Sequence, residues 1–196
     1  MTRDFVFAAH EAPTDAEFSL NDLPSAGRMD LLCRCVNAAL LTSHGVREDT
    51  TARLVFVGGE HDVTVRIEGD EVRGLNPDER SIAGVVRAAL DERTYYEVEA
   101  RTGVYVAEKE LEEVLDETEG ETVLLHEDGD RASNVEPPDE PVFVLSDHLD
   151  FTEDELELLE ERGARSVSLG PVALHADHAT AVAHNWCDTG GWSYQP

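Results

Sequence analysis

The sequence predicts one α/β domain, residues 1–196, built on a mostly parallel β-sheet that is covered by helices. Short runs of β-branched and aromatic residues, typical of buried strands, alternate with segments whose apolar residues recur every three to four positions, typical of helices. Strands joined through helices run parallel and are covered on both faces. The hydrophobic content of 41% is enough for one packed core, and no repeat or linker divides the chain.

The apolar runs predict six strands. We place them at residues 4–9, 53–57, 62–67, 122–126, 141–146 and 164–168. The turn Glu68-Gly69-Asp70 predicts that the third strand folds back through residues 71–73, so we expect a β-hairpin excursion over roughly residues 62–73. Residues 127–130 are expected to form a turn.

The helical spacing predicts five helices. We place them at residues 28–44, 81–90, 104–118, 152–162 and 173–186. Thr152 and Glu155 have the spacing of a capping box, which indicates the start of the fourth helix. Residues 91–102 have no clear pattern, and the glycine-rich segment after residue 186 predicts irregular structure.

Acidic residues dominate the charge of the chain. It carries 43 aspartates and glutamates against 15 basic residues, a net charge of −28, and Lys109 is its only lysine. Because the acids are spread along the chain, we expect an acidic surface adapted to a halophilic interior, where molar salt screens charges beyond about 3 Å. A net negative charge normally argues against nucleic-acid binding, but salt adaptation removes most of that argument.

The cysteine content indicates a reducing compartment. The chain has three cysteines, Cys33, Cys35 and Cys187, an odd number, and no signal peptide precedes them. The spacing around Cys33 and Cys35 predicts buried, small apolar side chains rather than zinc ligands. No run approaches 18 apolar residues, so we expect no membrane segment and a soluble, cytoplasmic protein.

The carboxyl ends of three predicted strands form the candidate ligand site. These strands end near Leu125, at Ser146 and at Ser168, and the last runs into Leu169-Gly170-Pro171 and a helix. Parallel sheets bind ligands at such ends, and a helix N-terminus offers free N–H donors. The pattern therefore predicts a small-molecule site made largely of backbone, with ordinary tight turns as the alternative. Neither GxGxxG nor GxxxxGK[ST] occurs, which leaves dinucleotide and P-loop sites unsupported.

Histidines near the C-terminus raise the alternative of a metal site. His175, His178 and His184, together with Asp177, could act as ligands. They lack the HExxH spacing of zinc hydrolases, and no further ligand stands at a fixed spacing. We therefore expect them to cap a helix or to form hydrogen bonds at an interface, and we expect no metal.

Arginines in loops are conspicuous because basic residues are scarce. Arg28, Arg34 and Arg80 lie in short polar segments. The planar guanidinium suits phosphate recognition, and ion pairs with the many carboxylates are the alternative.

Five segments together resemble one family. They are residues 19–24 (SLNDLP), 27–36 (GRMDLLCRCV), 76–80 (NPDER), 146–148 (SDH) and 168–178 (SLGPVALHADH). They are similar to the archaeal tRNA pseudouridine-54 N1-methyltransferases of the SPOUT superfamily, from the first strand to about residue 185. The resemblance implies a SPOUT-type sheet with a deep trefoil knot over roughly residues 121–186, and a homodimer with the active site at its interface.

The resemblance also implies S-adenosylmethionine as the cofactor. The family positions that hold it map to Leu125, Ser146, Leu169, Gly170, Pro171, Val172, Ala173, Leu174 and Ala179. Ser146 stands where the family commonly has glycine, and Ala179 where cysteine occurs. Both residues are small, so we expect the backbone path to be kept.

The reaction that the resemblance implies is methylation of N1 of pseudouridine 54 in the tRNA T-loop, giving 1-methylpseudouridine. Asp78 is predicted to accept or orient the N1 proton, because methyl transfer needs that proton removed. Arg80 and Arg28 are predicted to hold phosphates or the base during catalysis, and Arg34 to contact the RNA. The alternative for Asp78 is a helix N-cap before Ser81.

Three other functions remain open at this point. A related SPOUT family methylates N1 of a pseudouridine in ribosomal RNA. A non-catalytic RNA-binding or assembly factor could keep the same fold. A metal-dependent hydrolase is the last alternative.

Overall fold

The computed structural model describes residues 2–193, which form an eight-stranded sheet, a two-stranded ribbon and five α-helices. The strands are β1 Arg3–Ala9, β2 Leu41–Thr42, β3 Gly45–Val46, β4 Thr50–Phe56, β5 Val63–Glu68, β6 Val98–Arg101, β7 Val104–Glu108, β8 Glu121–Arg131, β9 Pro141–Ser146 and β10 Arg165–Ser168. The helices are α1 Met29–Leu40, α2 Glu79–Asp91, α3 Leu111–Glu117, α4 Glu153–Glu161 and α5 Ala176–Asp188. None of the helices within residues 2–193 is long and apolar enough to cross a membrane.

The large sheet has the order β10-β8-β9-β1-β4-β5-β7-β6. Its first five strands are parallel, which confirms the expected mostly parallel α/β sheet. The last three strands add an antiparallel extension beyond β4. Because the parallel strands point the same way, the carboxyl ends of β8, β9 and β10 lie at one edge.

Two apolar clusters cover the two faces of the sheet. Alternate strand residues point to opposite faces, so Phe5 and Phe143 belong to one cluster while Val6 and Val144 belong to the other. Helices α1, α2 and α5 contribute to the first cluster, and α3 and α4 to the second. This arrangement buries both faces, as near-continuous apolar strands predict.

The predicted hairpin over residues 62–73 is wrong in its second strand. β5 forms as expected but pairs with β4 and β7, residues 69–71 form a turn, and residues 72–73 have no regular structure. The amide of Val72 donates to the carbonyl of Glu68 at 2.8 Å, which curls the chain directly after β5. The side chain of Val72 is buried in the core although the residue follows a turn. Its apolar character therefore does not indicate a second strand.

The predicted helix over residues 104–118 is two elements. Its first part is β7, in which Val104 and Val106 alternate as buried residues and pair with β5. Its second part is α3, which begins after a capping box formed by Glu110 and Glu113. The segment without a clear pattern contains β6, which pairs with β7 as the edge strand.

The other corrections concern the ends of elements. The first helix stops at Leu40 because β2 and β3 form a short ribbon there. The last helix begins at Ala176, so the residues before it form a loop. Residues 127–130 lie within β8 rather than in a turn, and Asp130 pairs with Val167 of β10 after a register shift. The capping box of Thr152 and Glu155 is confirmed at the start of α4.

Candidate functional site

One cavity lies at the ends of β9 and β10, beside the middle of β8. Its volume is about 180 Å³, and its walls come from residues 125–127, 145–151 and 167–179. Eight of the nine residues predicted to hold the cofactor line it, and the ninth, Pro171, lines an adjoining cavity that shares Leu169 and Gly170. The structure therefore brings these predicted residues together.

The loop between β10 and α5 forms the outer wall of this cavity. Val172 is 70% exposed and Leu174 42% exposed, so apolar side chains stand open to solvent. The Ser168 hydroxyl donates to the carbonyl of Gly170 at 3.0 Å, which turns the chain away from the strand. Between residues 170 and 174, no amide donates a hydrogen bond to the part of the chain that the structure describes, so this loop offers free N–H groups to a ligand.

The loop after β9 forms the opposite wall. The Ser146 hydroxyl donates to the carbonyl of Leu149, and the amide of Leu149 donates to Asp147 Oδ1 at 2.9 Å. Asp150 and Phe151 complete this wall. Sequence reasoning missed Leu149, Asp150 and Phe151, although their position directly after a strand end was a usable signal.

A partly buried histidine anchors the loop after β9 to the rest of the sheet. His10 Nδ1 lies 3.1 Å from Asp147 Oδ1, and its Nε2 lies 3.0 Å from Glu155 Oε2. The hydrogen bond to Asp147, followed by that to Glu155, raises the pKa of His10 to about 10. The imidazolium therefore donates both of its N–H groups, while the backbone amide of His10 donates to Asp147 at 2.8 Å.

A second polar cluster joins α1, α2 and α5. Arg34 donates to Asp30 at 2.9 Å, to Asp177 at 3.0 Å and to Glu79 at 3.2 Å, and Arg28 donates to Asp30 at 3.0 Å. Burial opposes ionisation of Asp30, but these hydrogen bonds lower its pKa to about 2. Ion pairing, the alternative for arginines in loops, is therefore observed for Arg28 and Arg34.

Asp78 and Arg80 stand at the start of α2, outside the cavity. Asp78 is the N-cap, and its Oδ1 accepts from the amide of Ser81 at 2.8 Å. Both side chains are exposed. Arg80 has no carboxylate within 4.0 Å among residues 2–193, so its guanidinium is open to an external group.

The C-terminal histidines do not come together. His175 and His178 lie edge to face with ring centroids 6.1 Å apart, whereas His184 is buried between Arg3 and the carbonyl of Ala39. Within residues 2–193, no group of three histidine, cysteine, aspartate or glutamate residues could hold a metal ion. The cysteines of α1 are buried in the core, as predicted.

Sequence comparison places the chain among known proteins. A family model described as "Putative SAM-dependent RNA methyltransferase" matches residues 2–191. The chain belongs to this family. Its curated relatives in the family include proteins named tRNA (pseudouridine(54)-N(1))-methyltransferase from halophilic archaea. That of Halobacterium salinarum is 49% identical over 195 residues, covering 97% of this chain and 98% of the relative. That of Haloarcula marismortui is 50% identical over 197 residues with the same coverage.

Comparison of structures shows that this methyltransferase shares a known fold. The crystal structure of Archaeoglobus fulgidus Nep1 bound to S-adenosylhomocysteine matches with a TM-score of 0.68. The match covers 99% of this chain and 100% of that chain at 15% identity, so it concerns the fold alone.

Proposed function

We propose that this protein transfers a methyl group from S-adenosylmethionine to N1 of pseudouridine 54 in tRNA, giving 1-methylpseudouridine. The observation that carries the proposal is identity of 49–50% over 97% of the chain to proteins named for that reaction. The cavity at the ends of β9 and β10 supports the proposal, because eight of the nine residues that the family resemblance assigns to the cofactor line it. A tRNA substrate also places the protein in the cytoplasm.

The groups that line the cavity support S-adenosylmethionine as its ligand. Apolar side chains such as Leu125 and Ala179 would contact the adenine ring, and the free amides of residues 172–174 would donate to its nitrogens. The carboxylates of Glu127 and Asp150 lie in the wall, where they would accept from ribose hydroxyls or from the methionine ammonium group. A cavity rich in backbone groups distinguishes ligands by their shape and by the hydrogen bonds that they form.

The protein's part in the reaction is to position the base and to manage one proton. When bound, S-adenosylmethionine supplies an electrophilic methyl group on a sulfonium. The protein must hold N1 in line with that methyl group and accept or orient the N1 proton. Extruding the base from the folded T-loop costs a few kcal/mol, which contacts to the rest of the tRNA would offset.

We place the candidate catalytic groups on a second subunit. Asp78, Arg80 and Arg28 do not line the cavity of their own chain, so they would meet a substrate at the cofactor only across a homodimer interface. The N-cap bond of Asp78 uses one carboxylate oxygen and leaves the other for a substrate proton. Arg80 is open to a phosphate. Arg28 is paired with Asp30, so it would have to divide its N–H donors between that carboxylate and a phosphate. Asp78→Asn should lower turnover and leave cofactor affinity unchanged; turnover near wild type would remove Asp78 from the mechanism.

The knot is also part of the proposal. Two features support a trefoil knot over roughly residues 121–186: β10 pairs with β8 while β9 lies on the other side of β8, and α4 and α5 pack on opposite faces of the sheet. The test is an experimental chain trace. Pulling both ends of the trace should leave the segment entangled, and a trace that opens into a line would contradict the knot.

Calorimetry and methylation assays separate the proposal from its alternatives. Cofactor binding without methylation of any RNA would favour a non-catalytic factor. Methylation of pseudouridylated ribosomal RNA in preference to pseudouridylated tRNA would favour the rRNA reaction. We expect methyl transfer to tRNA, and only after pseudouridylation.

A further inference from the structure

The arginines of this chain differ in whether they form ion pairs with carboxylates. Among residues 2–193, nine of the fifteen basic residues lie within 4.0 Å of a carboxylate. The six arginines without such a carboxylate in this part of the chain are Arg73, Arg80, Arg87, Arg93, Arg101 and Arg131. Five of these six lie between residues 73 and 101. In a chain with 43 acidic residues, this concentration of arginines without a carboxylate partner distinguishes residues 73–101 from the rest of the chain.

Residues 73–101 are also close to neutral. They hold six acidic and five basic residues, so nearly all of the net charge of −28 lies elsewhere. Two of the six acids are engaged with arginines outside the segment, since Glu79 accepts from Arg34 and Glu97 from Arg66. A polyanion approaching this protein would meet the least repulsion here.

Helix α2 presents two of these arginines on one face. Arg80 and Arg87 are seven residues apart, which places them two turns or about 10 Å apart along the helix. Gly84 lies between them on the same face, and a Cβ there would have no heavy atom within 4 Å. The opposite face, which includes Ile82 and Val86, is buried against the sheet. The arginines therefore flank an open stretch of helix that a phosphate chain could approach.

Two exposed tyrosines follow shortly after the end of α2. Tyr95 is 72% and Tyr96 77% exposed, and their rings meet edge to face at 5.0 Å. The turn that carries them is anchored, because the Thr94 hydroxyl donates to the Tyr96 carbonyl at 2.6 Å and the Thr94 carbonyl accepts from Glu108 of β7 at 2.9 Å. Arg93 directly precedes this turn. Exposed aromatic rings beside arginines are the groups on which unpaired bases stack.

We propose that Arg80, Arg87, Arg93, Tyr95 and Tyr96 form a tRNA-docking surface, called here the arginine–tyrosine surface. The arginines bind phosphates, and the tyrosines stack on unpaired bases outside the target loop. This inference rests on the proposed function, because it takes tRNA as the partner. In molar salt the phosphate contacts weaken while stacking persists, so the tyrosines carry most of the affinity there.

The experiment compares two double variants with a matched control. Tyr95→Ser with Tyr96→Ser removes the rings, Arg87→Gln with Arg93→Gln removes two charges, and Arg162→Gln removes an arginine that is ion-paired with Asp116. Fluorescence anisotropy gives the Kd of labelled, pseudouridylated tRNA at about 0.5 M and about 2 M KCl. The tyrosine variant should bind about tenfold more weakly at both concentrations. The arginine variant should lower the slope of log K against log salt by about 1.5 and lose its defect at high salt.

Cofactor binding and turnover distinguish this surface from the proposed function. Both double variants should bind S-adenosylmethionine like wild type and raise KM for tRNA while leaving kcat unchanged. Wild-type tRNA affinity in both variants would overturn the surface and leave the proposed function standing. Failure of the wild-type protein to bind tRNA would overturn both. Loss of dimerisation in the tyrosine variant, seen by size-exclusion chromatography, would assign the tyrosines to a subunit interface instead and overturn the RNA contact.

Discussion

His10 provides a direct test of how the loop after β9 is held. Its imidazolium donates to Asp147 and Glu155, and these hydrogen bonds raise its pKa from 6.5 to about 10. His10→Gln keeps an N–H donor but removes the charge, which leaves the buried carboxylate of Asp147 and the partly buried carboxylate of Glu155 without their cation. Breaking a buried pair in this way costs about 3–5 kcal/mol, and the partial exposure of Glu155 places the expected loss toward the low end, about 3 kcal/mol at pH 6.5.

The pH dependence follows from the direction of this shift. Between pH 6.5 and 10 the folded protein keeps the His10 proton while the unfolded chain loses it, so the stabilisation falls as pH rises. One proton corresponds to about 1.4 kcal/mol per pH unit at most. The difference in unfolding free energy between wild type and His10→Gln should therefore be largest at and below pH 6.5, should fall by up to about 1.4 kcal/mol per pH unit above it, and should be lost by about pH 9.

Guanidinium denaturation at constant ionic strength measures this difference at several pH values. Val6→Ala is a matched control. It creates a cavity in β1, the strand that His10 follows, and it involves no titrating group. Its cost should be the same at every pH. A His10→Gln cost that is equally constant with pH would contradict this explanation, since it would mean that folding does not raise the pKa of His10.

Three further predictions concern other parts of the fold. Gly27→Ala would place a Cβ 2.0 Å from the carbonyl oxygen of Glu11 at a φ of +55°, so it should lower the unfolding free energy by about 1–3 kcal/mol in urea denaturation. Burial raises the pKa of the Cys33 thiol to about 12, so mass spectrometry should find it unmodified by iodoacetamide in the folded protein and alkylated after unfolding. Burial lowers the pKa of His184 to about 4, so acid titration should show stability falling from pH 6.5 toward pH 4, a slope that His184→Gln should remove.

The loops that line the cavity could be predicted from the sequence because their signal is local. Each follows a short apolar strand, and the parallel order of the sheet then brings the strand ends together. The same reasoning identified the capping box at Thr152 and the burial of Cys33 and Cys35, since helical spacing reports burial directly.

The features that sequence reasoning missed depend on contacts between parts of the molecule that are distant in sequence. Val104 and Val106 fit a helical pattern and a strand pattern equally well, and pairing with the edge of β5 decides between the two structures.

The cluster of His10, Asp147 and Glu155 joins residues about 140 positions apart, so no local pattern predicts it. Asp78 shows the converse, because its local role as an N-cap was foreseen while any role at a second subunit depends on an assembly that sequence spacing does not encode.

The proposed function rests on methyl transfer to N1 of pseudouridine 54. The most direct measurement is mass spectrometry of nucleosides from tRNA transcripts incubated with the protein and S-adenosylmethionine that carries a deuterated methyl group. One transcript is pseudouridylated at position 54 beforehand, and its matched control keeps uridine there. We predict deuterated 1-methylpseudouridine from the first transcript alone. No methylated nucleoside in either transcript, or equal methylation of both, would contradict the account.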